Sequence, residues 1–70
     1  MRQTMRILVN GSQTEIAAGS TLQDLLVTLQ LADARLALEC NQLIIPRSQH
    51  ASHVLHEGDV IEIVHAIGGG

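Results

Sequence analysis

Leu22, Leu25, Leu26 and Leu29 fall at i, i+3, i+4 and i+7, so a helix through them carries one apolar stripe and leaves its other side wet. The segments around this stretch alternate with period two, the pattern of half-buried strands. A helix with one face to bury needs a sheet to bury it against. A chain of 70 residues has room for one domain. Such a domain buries only about 60% of the surface its unfolded chain exposes, which leaves little for an enclosed cavity. Within "GSTLQDLLVTLQL", Ser20 followed by Gln23 predicts a capping box at the helix start, and Asp24 places negative charge in the early turns.

The strands follow from alternation and turn chemistry. In "MRILVNGSQTEI", Met5, Ile7 and Val9 alternate with Arg6, Leu8 and Asn10, and Asn10-Gly11 predicts a tight hairpin turn. Residues 13–17 supply the return strand, with Ile16 as its core contact. Residues 1–4 precede the pattern and read as an N-terminal extension, with Met5 an alternative natural start. Leu36, Leu38 and Cys40 alternate in a third strand, and Pro46 ends the short Leu43–Ile45 piece or places it at an edge. Residues 47–56 read as polar and irregular with one helical turn, "EGD" as a turn, and "VIEIVHAI" as a final strand rich in β-branched residues. The order is strand, strand, helix, strand, short strand, strand, an α+β class.

Composition narrows the function. The chain has no Phe, Tyr or Trp, so its core is aliphatic, and 46% hydrophobic content predicts a packed domain. A net charge of −3 with only four cations, Arg2, Arg6, Arg35 and Arg47, gives neither the basic face nor the aromatic platforms of a nucleic-acid binder. Cys40 is the single cysteine, which excludes an intramolecular disulfide and fits a reducing compartment. No apolar run approaches membrane-spanning length, so a cytoplasmic location is expected.

Candidate chemistry is sparse. His50, His53 and His56 recur every three residues, but no Cys or carboxylate completes an evident metal set, and exposed loop histidines are expected, with no metal. His65 reads as a surface or partner-facing residue of the last strand. Cys40 alternates in register with Leu36 and Leu38, which predicts core packing rather than a reactive thiol. No spacing suggests a Ser-His-Asp or paired-carboxylate site. The glycines of "HAIGGG" have no following helix or P-loop Lys, so they are not a phosphate loop. That terminus has two readings: a frayed or appended end, or a slender leader that threads a partner's channel and presents a carboxylate. A carboxylate is a poor electrophile until activated, and nothing in the chain performs that step.

The stretches "ILVNG", "ALECNQLIIPRSQ" and "EGDVIEIVHAIGGG" resemble the ubiquitin-like β-grasp sulfur carriers, and within them the ThiS carriers of thiamine biosynthesis. The resemblance covers Met5 to Gly70, and it departs at His50, which stands where an aromatic is common. It implies a β-grasp fold of order ββαββ with an extra short strand, one helix across a mixed sheet, and the first and last strands central and parallel. The domain would span 5–67, with 68–70 a flexible glycine tail. It further implies a carrier, not an enzyme. A ubiquitin-activating-like adenylyltransferase would use ATP and Mg to adenylate the Gly70 carboxylate, a persulfide donor would convert it to a thiocarboxylate, and thiazole synthase would take the sulfur. The carrier would bind no cofactor itself and would be monomeric when free. Gly68 and Gly69 would form the leader, and Glu62, Val64 and Ala66 the docking side of the last strand. The small subunit of molybdopterin synthase shares the tail chemistry, and a ubiquitin-like modifier attached through Gly70 or an interaction module with an inert tail are further alternatives. The chain's lack of lysine excludes modifier chains built on its own side chains.

Overall fold

The computed structural model describes residues 3–65. Strand β1 (Thr4–Val9) and strand β2 (Ser12–Ala17) form an antiparallel hairpin in register from Thr4↔Ala17 to Val9↔Ser12. Asn10 and Gly11 both take positive φ (51° and 83°), the geometry of a two-residue type I′ turn, whose twist matches that of the strands it joins. Met5, Ile7, Val9 and Ile16 are buried as the alternation requires. Thr4 belongs to β1 rather than to an extension. It pairs with Ala17, its hydroxyl donates to Glu15 Oε2 at 3.1 Å, and Ala18 N–H closes the hairpin end onto Gln3 C=O at 2.9 Å.

Helix α1 (Leu22–Thr28) buries Leu22, Leu25 and Leu26, with Leu29 packed at the margin. Its capping box lies one residue later than Ser20–Gln23 predicts. Thr21 is the N-cap: its Oγ1 accepts from Asp24 N–H at 3.1 Å, and Asp24 Oδ2 accepts from Thr21 N–H at 2.9 Å. The shift has a tertiary cause. Ser20 C=O is taken by Leu55 N–H at 2.8 Å, Thr21 bridges Val54, and Leu22 N–H donates to His53 C=O at 3.0 Å, so the 53–55 loop fixes which residue turns into the helix. The helix also ends earlier than the leucine pattern runs. Gln30 adopts φ 63°, and Leu31 N–H to Leu26 C=O (2.7 Å) with Gln30 N–H to Val27 C=O (3.0 Å) complete a Schellman cap.

Strand β3 (Leu36–Cys40) turns through Asn41 and Gln42, both at positive φ, into the two-residue strand β4 (Leu43–Ile44). A 3₁₀ turn at Arg47–Gln49 follows, and strand β5 (Val60–His65) closes the described fold. The sheet order is β2-β1-β5-β3-β4, with β1 and β5 parallel and every other pair antiparallel. This is the β-grasp arrangement. Ile7, Leu38, Cys40, Ile61 and Ile63 on one sheet face meet Leu22, Leu25 and Leu26, with Ile45 and Leu55 completing the core. His50 corrects the reading of exposed loop histidines: only 4% of its surface is accessible. Its ring Nε2 lies 3.0 Å from Ile45 C=O, which only accepts, so Nε2 carries the proton and donates. The His50 carbonyl in turn accepts Gln23 N–H at 3.0 Å, so with the His53 carbonyl and Thr21 Oγ1 the first three helical N–H groups are all satisfied.

Candidate functional site

β5 lies between β1 and β3 and alternates cleanly. Ile61 and Ile63 point into the core, while Val60, Glu62 and Val64 stand on the face away from the helix. Cross-strand register assembles their neighbours. Leu8 pairs with Val60, Glu39 with Glu62, Ala37 with Val64, and Ile44 with Glu39. The result is an exposed apolar surface in which Val64 is 63% and Ile44 71% accessible, with Leu8 and Val60 half-exposed beside them. Two carboxylates, Glu39 and Glu62, stand directly opposite on this surface, an arrangement that destabilises an isolated sheet. A cation from a partner placed between them would relieve that repulsion. Next to Leu8, a shallow open depression of about 320 Å³ is lined by Arg6, Gln13, Glu57 and Gly58.

Glu62 and Val64 therefore sit on the exposed side of the last strand, and His65 is exposed at its end. Ala66, Gly68, Gly69 and Gly70 lie outside the described residues. Glu39, Ile44, Leu8 and Val60 join this face although the sequence reading did not single them out. Their parity along each strand was visible, but the register that gathers them was not. The three spaced histidines do not converge. His50 is in the core, His53 is half-buried and His56 is exposed, and among the described residues no three of His, Cys, Asp and Glu gather as a metal set. Cys40 is a free, buried thiol. Burial pushes its pKa above the ordinary thiol value, and Asp59 beside it adds to the shift, so it is held as an unreactive thiol. Among the described residues no helix is long and apolar enough to cross a membrane.

Comparison with known proteins places this geometry. A model of the ThiS family matches residues 7–70. The chain is 42% identical over 66 residues to the sulfur carrier protein ThiS of Escherichia coli, covering 94% of this chain and 100% of that protein. It is equally 42% identical over 66 residues to a thiazole synthase of Magnetococcus marinus, of whose length it spans only 20%. A crystal structure of the thiamine biosynthesis protein ThiS from Geobacter metallireducens superposes with a TM-score of 0.82 at 28% identity, covering 94% of this chain and 100% of that one. With 64 consecutive positions matched and the whole of a carrier covered, the chain belongs to the ThiS family.

Proposed function

We propose that the chain is a sulfur carrier for the thiazole of thiamine, acting as a protein co-substrate on which partner enzymes perform each step. The observation that carries this reading is the match over the full length of the Escherichia coli carrier, which includes the sheet whose centre is β5. Among the described residues β5 runs to His65, five positions before Gly70 in the sequence, and β3 pairs with it as far as that residue.

The chemistry runs on the Gly70 carboxylate, ionised at neutral pH because a C-terminal carboxyl titrates at about 3.3–3.7. In an adenylyltransferase using ATP and Mg, a carboxylate oxygen attacks the α-phosphorus, expels pyrophosphate and becomes an acyl-adenylate. A persulfide sulfur then displaces AMP, and thiol cleavage of the acyl disulfide leaves the thiocarboxylate. Gly68 and Gly69 lack Cβ atoms, which suits a leader that a partner's backbone closes around. Glu62 and Val64, with Ala66 after them in sequence, form the docking side, and Glu39 beside Glu62 favours a partner presenting Arg or Lys there. Thiazole synthases of Magnetococcus marinus and Paramagnetospirillum magneticum contain a segment similar to nearly the whole chain, which supports that enzyme as the sulfur acceptor.

One residue appended after Gly70 tests the reading. The extended chain keeps the wild-type circular dichroism and thermal midpoint but loses ATP–pyrophosphate exchange with the adenylyltransferase. Undiminished exchange without trimming of the added residue would contradict it.

A further inference from the structure

β1 ends before β5 does. The last parallel pairs are Leu8↔Val60 and Val9↔Ile61, secured by Leu8 N–H to Asp59 C=O and Asn10 N–H to Ile61 C=O, both 2.9 Å. The chain then turns away at Asn10-Gly11, while β5 continues to His65 with β3 on its other side. On the edge that β1 vacates, Ile63 presents one N–H and one C=O. The Asn10 side chain takes both. Its Oδ1 accepts from Ile63 N–H at 2.7 Å, and its Nδ2 donates to Ile63 C=O at 3.1 Å. A primary amide carries the same donor and acceptor as a peptide unit, so Asn10 serves as one extra rung of the ladder.

Asn41 occupies the matching place in the β3–β4 turn. Its side chain accepts Val60 N–H at 2.9 Å and donates to Asp59 Oδ1 at 3.0 Å. Asn41 thus fixes the start of β5 and Asn10 its Ile63 position, beyond which β3 pairs with Val64 and His65. Among the described residues, Ile63 is the last position of β5 held from the β1 side, and Gly70 lies seven positions on. Seven residues reach at most about 25 Å, so the setting of Ile63 bounds where the terminal carboxylate can be delivered.

We propose that Asn10 is the positioning residue for the C-terminal segment, holding β5 at Ile63 from the side that β1 vacates while β3 holds the strand from the other side. This role rests on the sulfur-carrier reading above. Asn10 acts on the reaction only through β5.

Asn10→Gly is the informative variant, because glycine takes φ near 51° without strain and the turn survives while both side-chain bonds are lost. Asn41→Gly is the matched control at the other end of the strand. In the full-length chain, Asn10→Gly lowers the hydrogen-exchange protection of the Ile63 amide about tenfold, the scale of one to two net hydrogen bonds. With the adenylyltransferase, ATP and Mg, it raises the KM for the carrier about fivefold and leaves kcat near wild type, since the bound segment is re-ordered by the partner. Asn41→Gly, compared at equal loss of thermal midpoint, leaves that KM unchanged. Equal KM increases in the two variants, or an Asn10→Gly variant matching wild type in exchange or KM, would overturn the positioning role while wild-type turnover leaves the carrier reading intact. A wild-type chain that is not adenylated would remove the carrier reading and this role with it, whatever the Ile63 exchange rate.

Discussion

Replacing Thr21 by Ala tests which residue starts the helix, because the sequence pattern points to Ser20 and the structure to Thr21. Thr21 Oγ1 satisfies Asp24 N–H at 3.1 Å, and no other partner for that N–H comes with the mutation. The reciprocal bond from Thr21 N–H to Asp24 Oδ2, at 2.9 Å, uses the backbone and survives. The loss is therefore that of one N-cap side chain, about 1 kcal/mol within a 0.5–2 range. In a domain of this size that lowers the thermal midpoint by about 4–8 °C. With a urea dependence of about 1 kcal/mol per molar, expected at the small end of the size range, the urea midpoint falls by roughly 1 M. Ser20→Ala removes a buried hydroxyl that makes no capping bond, and its cost stays below that of Thr21→Ala. Parallel urea titrations of the two variants, followed by far-UV circular dichroism, decide the matter. Equal losses, or a larger loss for Ser20→Ala, would refute the capping assignment and with it the claim that the 53–55 loop sets the helix start.

Two further perturbations probe the interior. His50→Ala removes a buried ring and leaves Ile45 C=O without its donor, which costs about 2–4 kcal/mol, whereas His56→Ala at an exposed position costs under about 0.5 kcal/mol; thermal melts separate the two. Cys40 makes stability fall at alkaline pH. The unfolded chain releases the thiol proton from about pH 8.5 while the folded chain, with its raised pKa, retains it, so the stability is complete below that pH and declines above it. The chain has no Lys or Tyr, so Cys40 is the only side chain titrating between about pH 8 and 10, and Cys40→Ala flattens the pH dependence of the urea midpoint over that interval.

The local signals in this sequence were sufficient for the elements and insufficient for several contacts. Asn10-Gly11 announces its hairpin because few residue pairs tolerate two positive φ values, and the leucine stripe announces α1 because no other segment repeats with its period. Leu38 and Cys40 are buried as their alternation requires. The helix cap lies one residue beyond the expected Ser20–Gln23 box, at Thr21–Asp24, whose side chains are equally able to cap and to reach back. Contacts from residues more than thirty positions away broke the tie. His50 is buried rather than exposed for a related reason. It lies in a polar run, and only the folding of residues 47–53 beneath the helix start buries it. The available signal was the aromatic that the resembling carriers commonly place there, which marks a position needing a ring. On the exposed face of β5, the alternation of Val60, Glu62 and Val64 is legible, and the cross-strand register that adds Leu8, Glu39 and Ile44 is not. The clamps made by Asn10 and Asn41 had no sequence signature beyond turn preference, because each replaces a ladder bond between distant strands.

The central claim is that one carboxylate, at Gly70, carries the sulfur. Incubating the chain with the adenylyltransferase, ATP, Mg and a persulfide donor, followed by mass spectrometry of the intact protein and of its C-terminal peptide, measures this directly. The account predicts exchange of one oxygen for sulfur located at Gly70, distinguished at the peptide level from oxidation of Met5 or Cys40, which changes the intact mass almost equally. An unmodified C-terminal peptide, obtained with a partner that thiolates another carrier in the same assay, would contradict it.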